Sequence, residues 1–514
     1  MRAYLATSIG VVCTAVLVLP LSQPAGALAA SPAAPPASHQ AGPRTGPGAA
    51  HPAVTPAGAV PGSTESVPLR PLGSPRSPGS AAEQGVASRE VRPFSLLGVV
   101  WDDADDELRG TVQVRTRSVA THVWSDWQDV ETHNQEHGAD PGTQERDSGT
   151  VRGSTAPLWV GGSDGVELRV RATAEPDGTG PARPLLPRGL RLELIDPGDE
   201  PGTQPGDEPG TQPGDEPGTQ PGTQPGTQSP TQGSGTAVGT PVGTPVTMET
   251  GTGTSPANGT MTGATTGLAP AMSAEDMASS SANEGLAALG AAEIPALTKA
   301  EAEAEVSDAT TRAFAAPRPR IVTRKGWGAN ESLRERKFGY TGTVKAAFVH
   351  HSGTGNNYTC RQAPSVLRGI YRYHVKSSGW RDFGYNFAVD KCGTIYEGRA
   401  GGVARPVLGA HTLGFNTNTT GIAVLGSYNR TNPPSAATTA VARLTAWKLG
   451  LHGVNPRAKV TLTSGGSGKY GKGARVRLHT ISGHRDGFST DCPGSRLYGK
   501  LGSVRTKAAG YQGR

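Results

Sequence analysis

The octet Pro-Gly-Asp-Glu-Pro-Gly-Thr-Gln begins at residues 197, 205 and 213, and it limits how much of this chain can pack into a core. The chain has 72 glycines and 43 prolines among 514 residues. An eight-residue polar period is too short for a solenoid, and such segments bury too little surface to offset the entropy of ordering. We therefore predict a low-complexity linker over residues 198–316. We also predict a disordered Ala/Pro-rich segment over residues 31–90.

The first 30 residues have the pattern of an export signal. An apolar run extends from Ile9 to Leu19, and small residues at Ala27–Ala30 form a processing site. The run is too short for a membrane-spanning helix, and no later stretch approaches 18 apolar residues. We predict a signal peptide at 1–30 and a secreted protein without stable membrane insertion.

Two segments have the patterns of folded domains. Residues 91–197 contain alternating runs such as Gly110–Arg117 and Val166–Ala172, which predict a small all-β module of unknown role. Residues 317–505 mix strand patterns, as at Val344–Val349 and Gly421–Gly426, with helical spacing, as at Ala436–Leu449. For this part we predict an α/β domain, with a mixed central β-sheet flanked by helices.

Charge is divided unevenly along the chain. Residues 317–514 contain 31 Lys/Arg against 7 Asp/Glu, and the rest contains 18 against 36. A basic domain outside the cell meets anionic cell-wall polymers rather than nucleic acid. We therefore expect wall polymers as partners, and we expect no nucleic acid.

The cysteine count leaves a question open. Cys13 falls in the export signal, so Cys360, Cys392 and Cys492 remain in an oxidising compartment. Three is an odd number. Either one thiol is free and reactive, or two form a disulfide and the third has another role such as metal binding.

Metal-ligand side chains concentrate near the C-terminus. His484 opens a Gly-His-Arg-Asp segment, and Cys492 follows eight positions later. Imidazole and thiolate are zinc-type ligands, and a loop that folds back can bring the two together. A catalytic zinc takes three protein ligands and keeps one position for water, and His350, where a strand pattern ends, is the natural third.

Six motifs occur in order between about residues 318 and 500, which is roughly a third of the chain. The motifs are Arg324-Lys-Gly-Trp-Gly-Ala329, Val349-His-His-Ser352, Gly379-Trp-Arg-Asp-Phe-Gly-Tyr-Asn-Phe387, Tyr396-Glu-Gly-Arg399, Gly409-Ala-His-Thr412 and His484-Arg-Asp486 with Thr490-Asp-Cys-Pro493. Together they resemble the peptidoglycan-recognition protein and type-2 N-acetylmuramoyl-L-alanine amidase family.

The resemblance implies a set of site residues. It implies Zn²⁺ bound by His350, His484 and Cys492. It matches the family's active-site tyrosine to Tyr385, and it gives Thr490 where some relatives have lysine, so both are expected to be catalytic. It places substrate-binding residues at His351, Arg399, His411 and Asn416. With Cys492 as a ligand, it also implies a disulfide between Cys360 and Cys392.

The expected activity is that of a monomeric, secreted zinc amidase, which cleaves the lactyl-L-alanine amide of peptidoglycan. A non-catalytic peptidoglycan-binding module is the alternative. Family members that only recognise peptidoglycan characteristically lack the cysteine, so Cys492 favours the enzyme. A structural wall-anchoring protein is a third interpretation, which the repeat linker and the β module would suit.

Overall fold

The computed structural model describes residues 62–72, 83–132, 134, 136–173, 186–198, 272–305 and 309–514. The predicted signal peptide, most of the predicted disordered segment and the predicted linker at 199–271 lie outside these ranges. Within them, no helix has the length and apolar composition needed to cross a bilayer.

An antiparallel sheet forms the first folded region, here called the β domain. Its strand order is β1-β8-β3-β7-β4-β5, and β2 and β6 also pair with β3. The strands are β1 (Ser63–Pro68), β2 (Arg70–Pro71), β3 (Glu83–Trp101), β4 (Gly110–Ser118), β5 (Gln128–Val130), β6 (Gly153–Ser154), β7 (Leu158–Ala172) and β8 (Arg191–Asp196). The prediction of an all-β module is confirmed.

The β domain begins earlier than the sequence indicated. All six residues of β1 pair with β8, and the first part of β3 pairs with β7. The prediction of disorder is therefore wrong for residues 63–71 and 83–90. These strands have few apolar residues, and the backbone pairing to β7 and β8 that orders them leaves no local signal in the sequence.

A mixed seven-stranded sheet with helices forms the C-terminal domain, as predicted. The strand order is β17-β11-β14-β12-β13-β10-β9, and β15 and β16 form a separate hairpin. The strands are β9 (Glu293–Ile294), β10 (Ile321–Val322), β11 (Ala346–His351), β12 (Phe387–Val389), β13 (Ile395–Glu397), β14 (Thr419–Val424), β15 (Lys459–Thr463), β16 (Arg475–His479) and β17 (Ile481–Gly483). The helices are α1 (Ala274–Ser281), α2 (Lys299–Glu305), α3 (Ala309–Arg312), α4 (Ala363–Arg372), α5 (Ser435–Gly450), α6 (His484–Gly487), α7 (Ser495–Tyr498) and α8 (Leu501–Tyr511).

The predicted linker extends too far toward the C-terminus. Residues 272–305 form α1, β9 and α2, and β9 pairs with β10 in the sheet. Asn283 donates hydrogen bonds of 3.0 Å to both carboxylate oxygens of buried Glu397. This segment therefore belongs to the C-terminal domain.

The central strands are covered on both faces, which explains their uninterrupted apolar sequences. All six residues of β11 are buried. Val349 packs in the cluster that includes Val441 of α5 and Val504 of α8, whereas Ala423 of β14 packs in the cluster that includes Ile370 of α4. The sheet thus lies between α5 and α8 on one side and α4 on the other.

The β domain packs directly against α4. Leu96, Val100 and Ile195 are fully buried in one apolar cluster with Val366 and Ile370 of α4. The two folded parts are therefore in direct contact, although a long linker was predicted between them. All residues of Leu96–Trp101 are buried, as expected for a strand covered on both faces, because a strand with only one covered face would alternate.

Candidate metal centre

The ends of two parallel strands bring the first two predicted ligands together. Val349 of β11 pairs with Gly483 of β17, so His350 and His484 follow at adjacent positions on one edge of the sheet. Both histidines are fully buried. Successive side chains on a strand point to opposite faces, so His350 and His351 cannot both face the same centre. His351 instead accepts a hydrogen bond from the backbone N–H of Tyr428 at 3.2 Å.

Cys492 joins the two histidines because the chain after α6 folds back. The backbone N–H of Arg485 donates to the carbonyl of Cys492 at 3.0 Å. The Cys492 Sγ then lies 3.7 Å from Nδ1 of His350. Cys492 is buried and outside any disulfide, whereas Cys360 and Cys392 are bridged, as predicted. The three predicted ligands are therefore adjacent.

A fourth potential ligand comes from the β domain. His137 lies in the β5–β6 loop, residues 131–152, of which His133 and Gln135 are outside the described residues. Its Nε2 is 3.3 Å from Nδ1 of His350 and 3.8 Å from Sγ of Cys492. One ligand atom from each of the four side chains lies within 4.8 Å of the others. Sequence reasoning missed His137, whose one signal is a histidine-rich acidic stretch, Glu131-Thr-His-Asn-Gln-Glu-His137.

The three distances that join the ligand atoms of His137, His350 and Cys492 fit the edges of a tetrahedral zinc site. Zn–N bonds of about 2.0–2.1 Å and a Zn–S bond of about 2.3 Å give tetrahedron edges of roughly 3.3 Å for N to N and 3.6 Å for N to S. The observed edges of 3.3, 3.7 and 3.8 Å are close to these values. Neither ring nitrogen of buried His484 has a hydrogen-bond partner within the described ranges. A metal ion would satisfy one of them.

Burial sets the protonation states of this cluster. It lowers the pKa of His350 and His484 far below the usual value, and it lowers that of His137 to about 3. All three imidazoles are therefore neutral, which is the form that binds metals. Burial also raises the pKa of the Cys492 thiol, so this thiolate needs a cation beside it.

Tyr385 stands beside the four ligands. Its ring centroid lies 5.2 Å from that of His350 and 5.7 Å from that of His137. Burial raises its pKa well above the ordinary value, and the charge of Cys492 acts in the same direction. The phenol consequently keeps its proton and can donate a hydrogen bond to a negatively charged oxygen.

Four of the five remaining predicted site residues bind a residue of the β5–β6 loop. Nε2 of His351 lies 3.0 Å from a carboxylate oxygen of Glu131. Thr490 donates to Glu136 at 2.6 Å. Asn416 donates to Asp140 at 2.6 Å.

Arg399 and His411 complete this set. Both terminal nitrogens of Arg399 bind the carboxylate of Glu145 at 2.8 Å. His411 is fully buried next to His350, with a distance of 5.3 Å between ring centroids. Its backbone N–H donates to the side-chain oxygen of Asn416 at 2.7 Å. These residues thus lie next to the metal centre or contact the β5–β6 loop, and we refer to the positions of His351, Arg399, His411, Asn416 and Thr490 together as the groove.

Comparison with known proteins identifies relatives of both domains. A family profile described as N-acetylmuramoyl-L-alanine amidase matches residues 340–495, and one described as the Rv3811 N-terminal galactose-binding domain-like matches residues 50–187. Peptidoglycan-recognition protein SC2 of Drosophila simulans is 32% identical over 183 residues, which are 35% of this chain and 84% of that protein. The human N-acetylmuramoyl-L-alanine amidase is 30% identical over 196 residues, which are 36% of this chain and 28% of that protein. The structure of wild-type Drosophila PGRP-LB is 25% identical, with a TM-score of 0.29, over 36% of this chain and 92% of that one.

Proposed function

The chain belongs to the peptidoglycan-recognition protein and type-2 amidase family, and on that premise we propose that it is a secreted, zinc-dependent N-acetylmuramoyl-L-alanine amidase. Its substrate is the amide between the lactyl group of the glycan and the first L-alanine of the stem peptide. It acts as a monomer on peptidoglycan and binds neighbouring anionic wall polymers through its basic C-terminal domain. Nucleic acid is not a partner.

The observation that carries this proposal is the convergence of His350, His484 and Cys492 in a buried cluster beside Tyr385. Two neutral imidazoles and one thiolate form a zinc-type set, and a catalytic site adds an open position to three such ligands. Zinc held there lowers the pKa of a bound water toward neutrality and polarises the amide carbonyl.

The chain's own residues stabilise charge around the scissile bond. Tyr385, protonated because of its burial, donates a hydrogen bond to the oxygen that becomes negative as the carbonyl is attacked. Thr490 lies two residues before Cys492, and its hydroxyl accepts the backbone N–H of Cys492 at 3.1 Å. That contact fixes the hydroxyl near the reacting atoms. Asn416 and Arg399 provide donors for the carbonyl and carboxylate groups of the stem peptide.

One observation favours the alternative of a non-catalytic peptidoglycan-binding module. With His137, the cluster has four protein ligands, and four-ligand zinc sites are typically structural. In that case the metal would hold the β domain on the C-terminal domain. The two functions differ in whether amide bonds are cleaved.

Release of L-alanine amino termini from purified peptidoglycan tests the proposal. The zinc-loaded full chain is assayed as wild type and as His137→Ala, because His137 occupies the cluster. We expect release that disappears with Cys492→Ala and falls by about 10²–10³-fold with Tyr385→Phe, the size of effect known for one oxyanion donor. Tyr470→Phe, at a tyrosine of the β15–β16 turn, is the matched control. Zinc-loaded protein that binds peptidoglycan but releases no amino termini in either background would contradict the proposal and support the alternative.

A further inference from the structure

The β5–β6 loop crosses the metal centre and is fixed on the C-terminal domain beyond it. Near its end, Thr150 donates to the carbonyl of Gly379 at 2.9 Å, and the backbone N–H of Arg152 donates to the carbonyl of Ser378 at 3.0 Å. A Cβ at Gly379 would lie 1.9 Å from the carbonyl oxygen of Thr150. The loop and the C-terminal domain are thus in close contact.

Four residues of the loop each bind one predicted site residue of the groove. The pairs are Glu131 with His351, Glu136 with Thr490, Asp140 with Asn416, and Glu145 with Arg399. Four acidic side chains therefore engage the groups that would bind the carbonyls and carboxylates of a stem peptide. Backbone contacts add to this, because the N–H of Leu413 donates to the carbonyl of Glu136 at 2.9 Å. A stem peptide cannot enter this groove while the loop is there.

His137 takes the position that catalysis needs. Its Nε2 completes the tetrahedron with His350, His484 and Cys492, where a catalytic zinc would bind water. Its other ring nitrogen, Nδ1, is buried and has no hydrogen-bond partner in the described part of the chain. In contrast, Nε2 of His350 lies 3.4 Å from the hydroxyl of Thr412. His484 likewise has no outer partner in the described residues, so what distinguishes His137 from the other ligands is its place on a loop of the β domain.

The composition of the loop is that of a detachable element. Residues 131–152 contain three aliphatic side chains, Ala139, Pro141 and Val151, and five acidic residues. Its contacts are thus hydrogen bonds and ion pairs, which water can replace, and its departure exposes little apolar surface. The C-terminal domain that it covers is strongly basic, so the attraction is complementary.

We propose that the β5–β6 loop is a built-in inhibitor, with His137 as the fourth zinc ligand and the acidic side chains as substitutes for the stem peptide. The chain in this conformation is latent, and displacement of the loop opens both the coordination position and the groove. This inference rests on the proposed function, because only a hydrolase needs that position for water.

X-ray absorption at the zinc edge of the loaded full-length chain tests the ligand. We expect three imidazoles and one sulfur in the wild type. In His137→Ala we expect two imidazoles, one sulfur and one oxygen. His122→Ala, at an exposed histidine of the same domain, is the matched control and should retain three imidazoles. Two imidazoles in the wild type would overturn the inference.

Binding of a muramyl tripeptide in equilibrium dialysis tests the occlusion. The double variant Asp140→Asn/Glu145→Gln keeps all four ligands and so avoids a loss of metal. If the loop is docked nine-tenths of the time or more, loosening it should tighten binding about tenfold or more. Equal affinity in the wild type and the double variant would overturn the inference. Tighter binding without any release of alanine termini in His137→Ala would support the occlusion and contradict the amidase.

Discussion

The contact between the two domains has two parts of opposite chemistry. In the apolar part, Leu96, Val100 and Ile195 of the β domain pack with α4, without contact to solvent. In the loop part, acidic side chains and His137 meet the metal centre and the groove. Apolar burial is non-directional and insensitive to pH or metal, whereas every loop contact depends on a charge, a hydrogen bond or a ligand bond. The first part can keep the domains joined while the second part opens.

The apolar part should contribute the larger share of stability. Leu96→Ala removes a fully buried side chain, and we expect it to lower the free energy of unfolding by about 2–5 kcal/mol, because a cavity remains against α4. Chemical denaturation of the full chain measures this value. Val119→Ala, at an exposed site of the β domain, should change it by less than about 0.5 kcal/mol. A loss no larger than that control would show that α4 is not held by this cluster.

Glu397 should make the C-terminal domain less stable as the pH rises. Burial raises its pKa from 4.5 to about 7, so the folded domain keeps a proton that the unfolded chain releases. The resulting loss in the free energy of unfolding is absent below pH 4.5 and grows up to pH 7. It reaches about 3 kcal/mol, which follows from the size of the pKa shift. Glu397→Gln, which keeps a neutral side chain, should flatten this slope, and exposed Glu284→Gln should not. Unfolding curves between pH 4.5 and 8 give the comparison, and parallel slopes in all three proteins would contradict it.

Glu145 should have the opposite pH response and the smallest effect on global stability. Burial acts to raise its pKa, but the charge and hydrogen bonds of Arg399 outweigh this and lower it below 4.5. The pair therefore stabilises loop docking above pH 4.5, and this stabilisation is lost as the pH falls through the lowered value. Glu145→Gln should lower the free energy of unfolding by less than about 1 kcal/mol, which is the effect of losing an exposed ion pair. The effect is small because Arg399 becomes solvated when the loop is released.

Hydrogen exchange of residues 136–150, corrected for intrinsic rates, measures that loop directly. Glu145→Gln at pH 7 should exchange as fast as the wild type at a pH below the lowered pKa of Glu145, and Asp147→Asn, at an exposed residue of the same loop, should match the wild type. A loss of about 3–5 kcal/mol in the free energy of unfolding of Glu145→Gln would mean that the Glu145–Arg399 ion pair cannot leave its buried site. The loop would then belong to the core, and the contrast between the two parts of the contact would fail.

The sequence predicted the centre of the C-terminal domain well, because the information there is local. Strand β11 is a short apolar run that ends in two histidines, and strand alternation lets only one of them face the centre. The disulfide partners and the neighbouring positions of His484 and Cys492 also agree with what the family motifs imply.

The contacts that were not predicted join distant segments outside the family motifs. His137 precedes His350 by 213 residues, and no periodicity connects the two. Strand β1 has mostly polar residues, and its order comes from pairing with β8 rather than from its own sequence. The sequence of β3 predicts a strand, but it does not show that α4 packs against one face of that strand. Such contacts arise from tertiary packing, which overrides local propensity.

The attachment of both ends of the octet-repeat segment changes what that segment can do. Before it, Arg368 of α4 binds the carbonyls of Pro197 and Gly198 at 3.2 Å; after it, α1 leads to Asn283, which binds Glu397. Both ends of the repeat segment are therefore attached to the C-terminal domain. The length of the segment does not set the distance between the two domains. We expect a protease that cleaves this segment to yield two polypeptides that stay associated and separate only in denaturant. Cleavage within the repeats would therefore leave the contacts between the loop and the groove in place.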